Sequence, residues 1–381
     1  MRPIPTPELE LLLLCARVRL DEAHARRIDE LLGQAVDWNG LILLARRHGI
    51  ASLLHRTLAG LNTCRVPVEI MGRLRSVANA FRFHNVLFVR ELLTAVQAIE
   101  AAGIPVAPYK GPALAASLYG DFALREMTDI DLLVKPRDAI RARRALSALG
   151  YTASRQVSKW LEPAWVFFHC EFAFGSRSGI PVELNWRVAT RYWCLPEVPA
   201  RAWTRMRPLT LGGVELKMFC PEDLLLILCL HGSKHKWDTL KWVVDIAELL
   251  RVHPELDWRA ATIAARASGT ERMLALGLVL AHELLDAHLP AELAEALGAK
   301  PSIADLAAEV CKNLHDAHAK PADSLTELAF LGRLTERIDA KLAYLLLRPL
   351  YFLLHRIVRP SMSVLRGAEA DRVSAKRIGR G

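Results

Sequence analysis

The stretch Tyr109 to Val134, YKGPALAASLYGDFALREMTDIDLLV, opens on a Lys-Gly pair and closes on two aspartates, separated by one isoleucine, at the head of an oily run. Read as a β-strand, DIDLLV alternates its faces, so Asp129 and Asp131 point one way and Ile130 the other. Neighbouring carboxylates repel, and a half-buried pair shifts its pKa values and loses charge unless a cation sits between them. A hard divalent metal answers that need. A solvated strand start, or an Asp capping a turn, is the simpler reading of a DxD standing alone, so the surrounding residues have to decide.

Working outward, IPVAPYKG reads as a short strand. Pro112 to Tyr119 reads as a helix with Pro in its first turn, and Pro136 to Leu149 as a helix ended by Gly150. Two further runs, AWVFFHCEFAF and IPVELNWRV, flank the turn-rich GSRSG and predict a hairpin. In the second of these strands Val182, Leu184 and Trp186 share one face, and Glu183 and Asn185 the other. LTLGGVELKMF predicts a second hairpin near residue 219. Residues 8 to 100 and the chain from Pro221 onward show apolar positions at helical spacing. The expected architecture is α+β, a mixed sheet with flanking helices. It divides into a helical N-terminal region (1–100), a sheet-bearing core (101–219) and a C-terminal helical domain (220–381).

Composition narrows the class. With 381 residues, 52% hydrophobic and 24% charged, the chain can bury a sizeable core. Seven cysteines without a CxxC pair point away from a zinc cluster or a disulfide framework and fit a reducing compartment. The apolar run Leu11 to Ala16 is preceded by Glu8 and Glu10 and followed by Arg17 and Arg19, so neither a leader nor a membrane span is expected, and a cytoplasmic location is. The formal charge is +9, but Leu331 to Gly381 holds eleven Lys/Arg against four Asp/Glu. The basic excess therefore belongs to the tail, and no basic stripe on the body predicts a duplex nucleic-acid surface.

The order of strand, Lys110-Gly111, helix, Asp129-Ile130-Asp131-Leu132-Leu133-Val134, helix, and hairpin with Glu183 in VELNW resembles the nucleotidyltransferase fold of the DNA-polymerase-β superfamily. More narrowly it resembles a bacterial branch of largely uncharacterised members. Tyr119, Arg125, DWNGLILLARRHGI and HGSKHKWDTLKWVVDIAELL share in the likeness. The superfamily usually carries Gly-Ser or Gly-Gly where this chain has Lys110-Gly111. The resemblance implies transfer of a nucleoside monophosphate from a triphosphate, ATP by default, to a hydroxyl of an unidentified small-molecule, peptide or protein acceptor. Two Mg²⁺ ions would be held by Asp129, Asp131 and Glu183, with Glu171 the rival for the third place. Gly111 would let backbone approach the triphosphate, and Lys110 and Arg125 would meet its phosphates. A catalytically degenerate scaffold or binding protein of a peptide or polysaccharide pathway is the alternative.

Taken as one helix over 231–250, the downstream segment places His231, Lys234, His235, Asp238, Trp242 and Asp245 on one arc, opposite Trp237, Leu240, Val244 and Ala247. Three basic side chains beside an indole suggest contact with nucleotide or acceptor, although a solvated face accounts for the charges too. HKWDTLKW lacks the HExxH glutamate, so the histidine pair does not predict zinc. KLAYLLLRPLYFLLHRIVR, residues 341–359, is interrupted by Arg348 and Pro349 and predicts a buried terminal helix, or a peripheral contact with a membrane or partner, rather than a bilayer span.

Overall fold

The computed structural model describes residues 6–61, 64–190, 200–298, 300–315, 324–335 and 338–358. Five helices come first: α1 (Pro7–Cys15), α2 (Glu22–Leu32), α3 (Trp38–His48), α4 (Ala51–Gly60) and the long α5 (Val68–Ala101). The middle of the chain runs β1 (Val106–Pro108), α6 (Gly111–Leu114), β2 (Ile130–Val134), α7 (Ala139–Ala148), β3 (Thr152–Ala153), α8 (Glu162–Phe168), β4 (Glu171–Gly175), β5 (Pro181–Asn185), α9 (Ala200–Thr204), β6 (Arg207–Leu211) and β7 (Val214–Met218). Helices follow: α10 (Pro221–Lys234), α11 (Leu240–Val252), α12 (Trp258–Ser268), α13 (Glu271–Leu285), α14 (Ala291–Gly298), α15 (Pro301–His315), α16 (Ser324–Leu334) and α17 (Ile338–Ile357). The chain is α+β, and its contacts group into two compact units. The first joins Met1–Leu87, Leu114–Met127 and Phe219–Arg337; the second joins Phe88–Ala113, Thr128–Met218 and Ile338–Gly381.

The first unit is helical. Asp37 begins α3 by accepting from the backbone N–H of Asn39 and Gly40, and Gly49, at φ +66°, ends it in the left-handed region. Asp257 and Gly269 bracket α12 in the same way. α1 packs against α3 and α4, and Leu11, Leu12 and Cys15 of α1, Leu41 and Ala45 of α3, and Leu53 and Leu54 of α4 are all buried. Helix α13 is the hub of the other half, contacting α10, α11, α12 and α15.

The segment 231–250 departs from the single helix expected. It breaks after Lys234 because Lys236 and Trp237 take φ of +54° and +55°. The break drives the Trp237 ring, fully buried, against Gly232 and Gly277; a Cβ at Gly232 would collide with the ring, and one at Gly277 would collide with Cys229 Sγ and sit tightly beside the ring. Burial of one large indole outweighs continued helix propensity.

The second unit holds the sheet, ordered β1-β2-β5-β4-β3, with β2 and β5 parallel and the other neighbours antiparallel. Ile130, Leu132, Val134, Phe172, Phe174, Val182 and Leu184 are buried on one face, as the alternation requires. β6 and β7 form the second hairpin around Gly212 and Gly213, both at positive φ. One expected strand is partly a helix: Glu162–Phe168 is α8 and only Glu171–Gly175 is strand, so His169 is not a strand neighbour of Glu171. Pro163 in the first turn and the stacking of Trp165 on His169, 3.5 Å between ring centroids, favour the helical turn over a short apolar run that fits either state.

Helix α4 has an unusual cap. The Ile50 side chain makes no capping hydrogen bond, and Glu126 instead accepts from Ser52 N–H at 3.2 Å. Burial raises the Glu126 carboxyl from 4.5 to about 7 against the pull of the Ser52 and Ala51 amides, Lys241 and Arg46. The folded pKa lies above the unfolded one, so the stabilisation is complete below about pH 4.5 and is lost as pH rises through 7. Glu126→Gln is neutral and keeps an acceptor. Its stability relative to wild type should rise by about 3 kcal/mol between pH 4.5 and pH 8 in urea unfolding; identical pH slopes for both proteins would contradict the burial of this carboxyl.

Candidate active site

Parallel pairing of β2 with β5 sets Asp131 directly opposite Glu183, and antiparallel pairing of β5 with β4 sets Asn185 opposite Glu171. Alternation then gathers Asp131, Glu183, Asn185 and Glu171 on the polar face of the sheet. Asp129 lies just before β2, not within it, with the Thr128 hydroxyl donating to its Oδ1 at 3.4 Å.

Asp131 is the buried centre, 1% exposed. Three donors converge on its Oδ1: Lys110 Nζ at 2.9 Å, the Tyr109 hydroxyl at 3.3 Å and Asn185 Nδ2 at 3.5 Å. Its Oδ2 is buried without a partner. Asn185 also donates to the Glu183 carbonyl of its own strand at 3.2 Å, while its bond to Asp131 ties β5 to β2. Burial, then the charges of Glu171, Asp131 and Asp129, push the Glu183 carboxyl up to about 8, against the pull of Lys110. The face is thus overcharged with acid.

Backbone geometry supplies the approach. Gly111 has φ +59°, and a Cβ there would sit 3.3 Å from the Asp129 carbonyl oxygen. A side chain would be strained at this φ and would crowd the Asp129 backbone. Lys110, beside it, reaches back with its Nζ 5.2 Å from the Tyr109 ring centroid.

Oxygen donors alone, one of them partnerless at Asp131 Oδ2, suit a hard cation such as Mg²⁺. Among the described residues no three His, Cys, Asp or Glu side chains already close around a metal-sized position. Asp129, Asp131 and Glu183, with Glu171 behind, are therefore a convergent acidic face rather than a finished cage.

The other expected ligand residues lie in the helical unit. Arg125 is engaged by the buried Asp245, its Nε and Nη2 donating at 2.8 Å to Oδ1 and Oδ2, while the Tyr119 hydroxyl donates to Asp245 Oδ1 at 2.7 Å. Asp245, expected on a polar helix arc, is therefore the core of an ion pair. Across the break described above, His231, His235 and Trp242 nevertheless form a three-ring cluster, with centroids 4.7, 5.2 and 5.1 Å apart, and half-buried Lys234 sits beside His235 in sequence. Tyr109 was not legible as a site residue; its only signal is its place at the end of an edge strand, next to Lys110.

A model of the family described as uncharacterised nucleotidyltransferase matches residues 34–286, and the chain belongs to that family. Among solved structures, an antigenic nucleotidyltransferase-like protein from Paracoccidioides brasiliensis is similar at 15% identity. That match covers 58% of this chain and 93% of that chain with a TM-score of 0.30. Comparison with curated proteins gives no match.

A buried carboxylate stripped of its counter-ion is costly, about 3 to 5 kcal/mol. Lys110→Met should destabilise the protein by about 3 kcal/mol in denaturant unfolding, and Lys110→Met combined with Asp131→Asn should recover most of that loss. Strict additivity of the two changes would show that the pair does not exist in solution.

Proposed function

We propose that the protein is a Mg²⁺-dependent nucleotidyltransferase that moves a nucleoside monophosphate from a nucleoside triphosphate, ATP by default, to a hydroxyl of an acceptor. The observation that carries this reading is Asp131 facing Glu183 across parallel strands, its Oδ2 buried and unpartnered, with Asp129 just before the strand. In the reaction the acceptor oxygen bonds to the α-phosphorus, the α–β bridging P–O bond breaks, pyrophosphate leaves, and the hydroxyl proton passes to a carboxylate or to water.

Asp129, Asp131 and Glu183 would hold the metal, with Glu171 in reserve. When bound, Mg²⁺ supplies positive charge that lowers the pKa of the attacking hydroxyl and offsets the charge on the leaving pyrophosphate. Tyr109 and Asn185 orient Asp131 by donating to the oxygen that faces away from the open lone pairs. Gly111 keeps side-chain bulk off the turn where the triphosphate backbone would lie. Lys110, the cation nearest the acids, is assigned to the phosphates. Arg125 would have to give up a bidentate pair to reach a phosphate, so its assignment here is to hold Asp245. Within the helical unit, the rings of His231, His235 and Trp242, with Lys234, offer a surface of their own for stacking an aromatic ring.

The Lys110–Asp131 pair also favours a second reading, in which the fold binds without turnover, because an internal ammonium already supplies positive charge to the central carboxylate. Isothermal titration with Mg-ATP, run beside pyrophosphate release, separates the two. Wild type should bind and turn over. Asp129→Ala combined with Asp131→Ala, or removal of divalent ions with EDTA, should lower turnover by at least about 100-fold, in the range expected when charge stabilisation of the transition state is lost. Equal Mg-ATP binding by wild type and the double variant would refute the metal site, and binding without pyrophosphate release would favour the scaffold.

A further inference from the structure

Helix α17 is two-sided. In its described part, Leu354 and Val358 are buried, and Tyr351 and His355 stack against Trp165 and His169, the ring centroids of His169 and Tyr351 lying 4.3 Å apart. Arg155 fixes the end of the helix by donating to the carbonyls of His355 and Val358 at 3.1 and 2.8 Å. α17 is therefore docked on α8 by one face, and the expectation of a wholly buried helix is corrected.

The opposite face is apolar and open. Leu346, Leu350, Leu353 and Ile357 are 70, 47, 58 and 54% exposed. At about 100° per residue these four positions fall within an arc of about 60°. A buried helix would hide them and a solvated one would not place them there. Exposed Arg356 flanks the stripe, while Arg348 lies on the far side of the helix, its guanidinium 5.2 Å over the exposed Phe352 ring. From Leu346 to Val358 the sequence has no Asp or Glu, and from Arg356 to Gly381 it has seven Lys/Arg against two Asp/Glu, a net +5.

We propose that this face of α17 binds an anionic lipid surface, lying in the plane of the headgroups. The stripe would enter the headgroup–acyl boundary while Arg356, extending its aliphatic stem along it, meets phosphate or carboxylate groups. Charge complementarity selects this occupant: every formal charge from Leu346 to Val358 is positive, and a lipid surface rich in anions supplies the missing sign. A second copy would match the leucines but leave the cationic flank unmatched. The stripe exposes on the order of a few hundred Å², well below the about 800 Å² that each partner contributes to a stable protein–protein interface. Among the described residues no helix is long and apolar enough to cross a membrane, so the binding is peripheral.

Co-sedimentation of the full chain with phosphatidylcholine vesicles, with and without phosphatidylglycerol, tests the proposal. The wild type should partition onto the anionic vesicles, with each basic residue at the surface worth about fivefold, and weakly onto neutral ones. High salt should release it as the Debye length shrinks from about 8 to about 3 Å. Leu350→Glu combined with Leu353→Glu changes exposed positions only. It should keep the melting temperature while lowering partition by at least about tenfold. Equal partition of both proteins, or equal partition onto neutral and anionic vesicles, or none at all, overturns the proposal. So does a concentration-dependent dimer in light scattering that the double variant abolishes, which would give the face to a second copy. Pyrophosphate release is read separately and bears on neither outcome.

Discussion

Asp131 is a carboxylate with 1% of its surface exposed, and the sheet-bearing unit brings three donors to it. Desolvation of an isolated anion would expel its charge or unfold the strand, so the site depends on donors delivered to one oxygen. Lys110 and Tyr109 come from the turn after β1, and Asn185 from β5. The strand order β1-β2-β5 is what brings these suppliers to either side of β2. Because all three serve Oδ1, the other oxygen stays bare. A structural ion pair would use both lone-pair sets; a ligand site leaves one open.

Register does the remaining work. A one-residue slip between β2 and β5 would turn Asp131 into the layer now filled by Ile130, Leu132, Val182 and Leu184, and set a leucine among the acids. The apolar layer thus fixes the acid layer. Burial and then its acidic neighbours push the Glu183 carboxyl up to about 8 against the pull of Lys110, so the register holds like charges close together at a cost. The strain is supported by the buried side of the sheet, where Phe172, Phe174 and Trp186 pack. Stability on one face underwrites instability on the other.

The parts legible in the sequence were those governed by short-range rules. Period-two alternation placed Glu183 and Asn185 together, glycine and proline punctuation marked both hairpins, and DxD before an apolar run marked the acid-bearing strand. The resemblance to nucleotidyltransferases, carried by the same residues, agrees with the family match. What was not legible required knowledge of packing. AWVFF fits a helix or a strand by composition, and the stack of Trp165 on His169 settles it. The wheel over 231–250 assumed one axis, yet Trp237 breaks it to reach Gly232 and Gly277. Arg125 carried no mark of its partner, since Asp245 lies 120 residues away in the chain.

Arg125 and Lys110 show how one residue type can serve opposite ends. Both are cations on buried aspartates. Arg125 spends its guanidinium on both oxygens of Asp245, with Tyr119 adding a further donor, so that pair is closed and structural. Lys110 offers a point charge to one oxygen of Asp131 and leaves the second bare beside further carboxylates. An ammonium on a flexible stem can shift from carboxylate to phosphate at small geometric cost, whereas a forked guanidinium cannot leave without abandoning two bonds together. The choice of Lys at position 110 and Arg at position 125 therefore separates the adaptable cation of the sheet from the fixed cation of the helical unit. On the proposed function, that distinction gives the acidic face of β2 and β5 a chemical role and the Asp245 pair a structural one.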